Sequence, residues 1–301
     1  MIQYRSFRND DPPRLAEAWR SADLGTGALQ PMTTSLLESA VFSKPHFDRE
    51  GLIVATADDR VLGFAHAAFG PDQTGAALDH GVGSTLIVAV VPHVDRTGIA
   101  AGLLDRTEAY LRHRGAEKVL GGGSGQLRSF YLGLYGGADL PGILDSSTLM
   151  QEWFTNAGYA IDHRIAVLRR SLGTYRPSID RIHLAIRRTT RLCAIDEPSR
   201  RSWWEAATTT GMALRRYELR DEADNVLATA SFWDMQPLAA SRGVVAAGLL
   251  RVEVCGSRRR QGLARYVLGE AMHDLAAEGI ASVEPQVSDK DVATVQLYSR
   301  L

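Results

Sequence analysis

An internal repeat constrains this chain more than any other feature. Residues Val88–Val119 superpose on Val252–Val283 at a fixed offset of 164 (88 to 252), with no gap. Val88 falls on Val252, Val90 on Val254, Arg96 on Arg260, Gly98 on Gly262 and Ala100 on Ala264. Leu104, Gly115 and Val119 fall on Leu268, Gly279 and Val283. Each copy reads as an apolar strand, a polar turn, a glycine, and an amphipathic helix stopped by a second glycine. That order of parts aims the amino end of a helix at an anion. A repeat of this length also makes the chain two versions of one unit.

At 301 residues the chain fits two domains of roughly 100–200 residues each. With 45% hydrophobic and 23% charged residues, each half has ample material for a core. A formal net charge of −1 argues against a general nucleic-acid or membrane-surface binder, which would carry a basic excess. The cations are nearly all Arg; Lys44, Lys118 and Lys290 are the only lysines. Cys193 and Cys255 have neither metal-ligand spacing nor a disulfide framework, so no metal is expected. The start, MIQYRSFRNDDPP, lacks a signal-peptide pattern, and no apolar run approaches the ~18 residues of a membrane span. The reducing cytoplasm is the expected location.

Pattern and breakers predict a strand at residues 2–7, helices at Pro13–Ser21 and Ser35–Val41, and a hairpin of Gly51–Ala57 with Arg60–Phe69. Strands at Ser84–Val91 and Glu117–Gly121 flank a long helix at Gly98–Arg114; a helix at Leu149–Thr155 and a closing strand at Tyr159–Arg170 follow. Ser171–Ile182, rich in Gly, Pro and Ser, reads as a linker with residues 173–182 at its centre. The second half repeats the scheme with a strand at His183–Thr189, a helix at Arg200–Thr208, and a hairpin of Leu214–Asp221 with Asn225–Met235. A strand at Gly248–Val254, a helix at Gly262–Glu278, a strand at Ala281–Val287 and a helix from Val292 complete it. The expected class is α/β (α+β), with mixed central sheets flanked by helices and domains at 1–172 and 183–301.

The chemistry is expected in the turn of the second copy, Arg259–Ala264. Gly262 and Ala264 let a ligand approach the backbone N–H groups of Leu263 and its neighbours, which have no partner inside the helix. A pyrophosphate there would be met by Arg258, Arg259, Arg260 and Arg265, with Gln261 also in the turn. Neither a Gly-x-x-x-x-Gly-Lys-Ser/Thr loop nor a Gly-x-Gly-x-x-Gly fingerprint is present.

The run LLRVEVCGSRRRQGLARYVLGEAM resembles the acetyl-CoA-binding core of the GCN5-related N-acetyltransferase superfamily: a strand ending Val-x-Val, a turn, Arg/Gln-x-x-Gly-x-Gly/Ala, then a helix. The run DVATVQLYSRL resembles the superfamily's next helix, and WFTNAGY (Trp153–Tyr159) matches the same region of the first copy. The resemblance covers nearly the whole chain as two tandem copies. It implies an N-acetyltransferase that uses acetyl-CoA as cosubstrate on a small-molecule amine, with an oligomer open. A non-catalytic acyl-CoA-binding or regulatory module is the alternative.

Two differences favour the second copy. Asp95 replaces the leading Arg/Gln of the motif in the first, and a carboxylate repels a pyrophosphate. That leaves Val90, Arg96, Gly98 and Ala100 as a weaker second site. Phe154 stands where the superfamily usually has Tyr, a position Tyr298 holds in the second copy. By resemblance, Tyr298 is the expected general acid. Glu253, matched by Ala89 in the first copy, is the expected base. The strand end at Val252–Val254 would hold the acetyl carbonyl. Asp234, His66 and His273 are expected to be surface or structural residues, and Cys255 a small buried thiol. The first copy is longer after Val119 by a Gly- and Tyr-rich segment, for which Tyr131, Tyr135 or Asp145 are the residues to test. The second copy stops at Leu301, before the expected closing strand.

Overall fold

The computed structural model describes residues 1–177 and 179–301. It divides into two compact units, Met1–Asp162 with Arg200–Gly211, and His163–Ser199 with Met212–Leu301. The expected division at residues 173–182 differs from this in two places: residues 163–172 lie with the second unit, and residues 200–211 with the first.

In the first unit, β1 (Gln3–Ser6), α1 (Pro12–Ser21) and α2 (Thr34–Leu37) precede β2 (Leu52–Ala57), β3 (Arg60–Pro71) and β4 (Leu78–Val90). Then come α3 (Arg96–His113), β5 (Lys118–Gly121) and α4 (Thr148–Asn156). The sheet runs β1-β2-β3-β4-β5 and is antiparallel except for the parallel β4–β5 pair. Ile99, Leu103, Leu104 and Leu111 recur at helical spacing and are buried on one face of α3.

Between the copies lie β6 (Ile165–Val167), β7 (Arg170–Ser171), α5 (Arg181–Thr189), β8 (Thr190–Asp196) and α6 (Trp203–Thr208). Next come β9 (Leu214–Asp221), β10 (Val226–Asp234), α7 (Ala239–Arg242), β11 (Ala246–Val254) and α8 (Leu263–Ala277), followed by β12 (Ser282–Glu284), β13 (Gln286–Ser288) and α9 (Val292–Tyr298). The second sheet runs β7-β12-β11-β10-β9-β8, and β13 pairs separately with β6. Leu263, Val267, Leu268, Ala271, Met272 and Leu275 of α8 pack with Tyr217, Leu219, Ala230, Phe232 and Leu249 of the sheet. Each buried Leu, Val, Met or Phe among them contributes about 1.5–3 kcal/mol. α6 belongs to the first unit, where the buried Lys44 Nζ donates to the carbonyls of Thr208 and Thr210 at 2.9 Å.

The repeat extends to the strand register. β4 pairs β5 from Val82 with Lys118, and β11 pairs β12 from Ala246 with Ser282, positions related by the same offset. A bulge leaves Leu86 unpaired opposite β3 and Leu250 unpaired opposite β10. Gly115 and Gly279 end the two long helices with φ of 106° and 92°, a left-handed conformation that glycine adopts without a Cβ clash.

Three expectations are corrected. His183–Thr189 is helical: Asp180 accepts from His183 N, and Ile186 and His183 form its buried face. The segment's alternation had hidden an i, i+3/i+4 pattern. Tyr159–Arg170 is not a strand of the first sheet; its short strands β6 and β7 pair with β13 and β12. The edge expected to lie open after Leu301 is thereby closed by chain that precedes the second copy. Ala281–Val287 is two strands rather than one, interrupted at Pro285, whose missing N–H breaks the ladder. No helix among the described residues is long and apolar enough to cross a membrane.

Candidate acyl-CoA site

In the second copy, the chain leaves β11 through a short 3-10 turn at Gly256–Arg258 and enters α8 with Gly262 as N-cap at φ 84°. Arg260 is also left-handed, at φ 61°. A non-glycine residue there is strained by roughly 1–2 kcal/mol, a cost that concentrates at functional turns. No side chain caps the helix. Among the described residues, none accepts a hydrogen bond from the N–H groups of Gln261, Gly262, Leu263, Ala264 or Arg265. Arg259 and Arg260 are exposed, and no ion pair among the described residues engages either guanidinium. An array of free N–H donors at a helix amino end, ringed by cations, has the chemistry to receive a diphosphate.

The corresponding turn of the first copy is closed by its own side chains. Asp95 is the N-cap of α3, and its Oδ1 accepts from Gly98 N at 3.2 Å. A Cβ added to Gly98 would run into that carboxylate. Arg96 turns back on the strand and donates through Nε and Nη2 to Val90 O at 3.1 and 2.8 Å. Its guanidinium lies 5.6 Å from the Trp153 ring centre. Val90, Arg96 and Gly98 are therefore brought together, yet their polar groups already have partners. Ala100 is buried in the core.

β11 carries the second element. Beyond Gly248 its outer edge has no neighbour among the described residues, because β12 stops at Glu284. Cys255 N donates to Leu227 O on the β10 side. Successive strand N–H groups point to opposite edges, so those of Val252 and Val254 face the open edge. The Val252 and Val254 side chains pack with the apolar cluster that also takes Tyr298 and Leu297. Burial pushes the Tyr298 phenol up to about 12, and nearby Asp291 adds to the shift. Glu253 points to the other face of the strand, is exposed, and lies 3.9 Å from Arg251 Nη1.

The remaining candidates separate clearly. His66 is wholly buried and His273 is exposed. Asp234 holds a turn by accepting from Gln236 N. Tyr131 and Tyr135 are core residues of the first unit, and Asp145 is exposed. Cys255 is exposed rather than buried; the Ser257 hydroxyl and backbone, with Arg258 and Arg259, hold its thiol below the usual value.

Two features escaped sequence reading. Helix α5 lies against the turn: a Cβ on Gly262 would meet Ile182 Cγ2 at 2.9 Å, and Asp180 pairs with Arg265 at 3.3 Å. Its reading as a strand concealed this. Glu284, buried at the end of β12, accepts from Arg169 and Arg242 through Oε1, and its Oε2 has no partner among the described residues. The signal available was a lone Glu in an apolar strand.

Residues 16–133 match the family model described as acetyltransferase (GNAT) family. No match was found among curated proteins. Among solved structures, a GCN5-related glucosamine N-acetyltransferase region of a fungal multi-domain GH3 beta-N-acetylglucosaminidase aligns over 100% of this chain and 36% of its own, at TM-score 0.69 and 17% identity. A tandem GNAT protein from the clavulanic acid biosynthesis pathway aligns over 99% of this chain and 94% of its own, at TM-score 0.67 and 13% identity. A GCN5-related N-acetyltransferase from Sphaerobacter thermophilus aligns over 99% and 90%, at 0.64 and 14%. At these identities the structural likeness establishes the fold, and the family match lies in the first copy. Residues 16–133 thus match the acetyltransferase (GNAT) family, and the chain as a whole shares the fold of a tandem GNAT protein.

Proposed function

We propose that the second copy transfers an acetyl group from acetyl-CoA to a small-molecule amine in the reducing cytoplasm, where Cys193 and Cys255 stay free. The observation that carries this reading is the uncapped turn at Arg259–Arg265 with its unpaired N–H groups. These donors and Arg259, Arg260 and Arg265 hold the diphosphate. The bound cosubstrate supplies the activated thioester. The free edge of β11 aligns the N–H groups of Val252 and Val254 with the thioester carbonyl and stabilises the charge that develops on its oxygen.

Glu253 takes a proton from the attacking amine on one face of β11. As the new C–N bond forms and the C–S bond breaks, Tyr298 on the other face protonates the departing thiolate. A phenol whose pKa is pushed to about 12 stays protonated at neutral pH and is available as the acid. The first copy, with Phe154 and Asp95 at the corresponding positions, serves as a structural or substrate-shaping partner.

The test has two stages. Acetyl-CoA, but not NAD or ATP, should raise the unfolding midpoint saturably. Thiol release should then follow on addition of an amine panel that includes glucosamine. Binding without thiol release from any amine would instead support the non-catalytic acyl-CoA module. Intact turnover in Tyr298→Phe and Glu253→Gln would overturn the assigned roles.

A further inference from the structure

The strand that ends at the proposed acetyl site carries a second charge beside Glu253. Arg251 and Glu253 are two residues apart on β11 and so share one face, with Arg251 Nη1 3.9 Å from Glu253 Oε1. That separation is longer than the ~2.7–2.9 Å of a closed charge-assisted hydrogen bond. The two side chains are 36% and 46% exposed, so both charged heads are open to a molecule from solution. At the matching positions of the first copy stand Ile87 and Ala89, both buried. The pair therefore occurs in the copy whose turn is open and not in the other.

A similar pair two strands away shows what a purely structural version looks like. Arg216 and Glu218 of β9 fall in the same two rows of the sheet. Arg251 is opposite Ser231 and Ser231 opposite Arg216, while Glu253 is opposite Thr229 and Thr229 opposite Glu218. Arg216 Nη1 again lies 3.8 Å from Glu218 Oε1, but these side chains are 14% and 9% exposed. Glu218 Oε2 accepts from Arg220 Nε and Nη2 at 3.0 and 2.6 Å, and Arg216 Nη2 donates to Ser199 O at 3.2 Å. The inner pair is tied down by its own neighbours. The outer pair keeps its heads at the surface, on the strand whose Val252 and Val254 N–H groups face the open edge.

On the proposed reading, an acceptor ammonium sits against Glu253 and gives it a proton. A carboxylate on the adjacent carbon of the acceptor then falls beside Arg251, because standard bond lengths put the nitrogen and carboxylate oxygens of an α-amino acid roughly 2.7–3.6 Å apart. With contacts of ~2.8 Å at each end, that spacing fits across the 3.9 Å between Nη1 and Oε1. The four charges alternate around a quadrilateral, so every neighbouring pair attracts. An amine without a carboxylate would instead bring its ammonium up to the Arg251 guanidinium, a like charge. We propose that the acceptor is an α-amino acid, bound with its ammonium on Glu253 and its carboxylate on Arg251. Arg251 is then the residue that selects the acceptor class.

This assignment rests on acetyl transfer at Glu253, and one assay separates the two. Thiol release from acetyl-CoA is followed with the common amino acids and with the α-carboxamide of each. Acids that are accepted should exceed their amides by about 10–100-fold in kcat/KM, the factor for one charge-assisted hydrogen bond, with the difference lying in KM. The amine of the amide is the less basic of the two, so intrinsic reactivity at neutral pH favours the amide and does not produce this preference. Arg251→Met should abolish the preference for the acid, and Arg251→Lys, which keeps the charge, should retain most of it. Turnover of the amides, or of glucosamine, as fast as of the acids would overturn the acceptor class and leave acetyl transfer standing. So would an acid preference that survives in Arg251→Met. Thiol release with no acceptor would overturn the role of Glu253 and this assignment with it.

Discussion

The turns at Asp95–Ala100 and Arg259–Ala264 sit at the same place in the same fold, on strands with the same bulge and the same parallel register. They differ in who satisfies the helix. In the first copy an anion is built in: the Asp95 carboxylate caps α3, and Arg96 is spent on Val90 O. In the second, Gly262 provides no cap, and the cations remain exposed. The second turn is thus left open by the lack of a capping side chain. The family match to residues 16–133 falls on the closed copy, so the sequence that looks most like the family is not the one with the open turn.

Four experiments would break or sharpen that contrast. The largest expected effect is on turnover: Tyr298→Phe should lower kcat by about 10²–10⁴-fold, the range for loss of a general acid, with acetyl-CoA affinity unchanged. Phe154→Tyr in the first copy should alter neither.

Next in size is Gly262→Val. A branched side chain at φ 84° would be strained and would run into Ile182. Acetyl-CoA affinity measured by calorimetry should drop about 100-fold, as expected for the loss of one or two charge-assisted hydrogen bonds. Gly98→Ala should leave that affinity unchanged, since its turn is already closed.

A smaller effect is expected for Asp95→Ala, which removes a helix cap. Chemical denaturation should register a loss of about 1 kcal/mol. Acetyl-CoA should still bind with a stoichiometry of one, because Arg96 remains held by Val90 O. Two bound molecules would show that Asp95 alone closes the first site.

The mildest is a pH effect in the first unit. Burial pushes the His46 imidazole down to about 4 and that of His66 down to about 3, against ~6.5 in the unfolded chain. The unfolded chain therefore binds more protons in the window between. Stability is fully present above ~6.5 and declines as pH falls towards the folded values. The unfolding midpoint should be lower at pH 5 than at pH 7.5, and His46→Gln should reduce that drop.

Much of the architecture was legible because it is local or repeated. The α8 face, with Leu263, Val267, Leu268 and Leu275 at helical spacing, is visible in the residues alone, and so is the turn glycine between strand and helix. The fate of 163–199 was not. β6 and β7 are three and two residues long, too short for a periodic signal, and their partners lie more than a hundred positions away. Likewise, Asp95 was readable as a charge that repels phosphate, but its role as the cap depends on backbone angles that no spacing reveals.

By itself, then, the sequence determined two copies of one strand–turn–helix unit and the residue differences between their turns, since these depend on short-range periodicity, glycine placement and side-chain charge. Only the tertiary structure decided which turn keeps its N–H groups free, which strands complete the second sheet, and that α5 packs on Gly262. Those outcomes rest on hydrogen-bond partners distant along the chain, and a partner's identity is fixed by packing rather than by pattern.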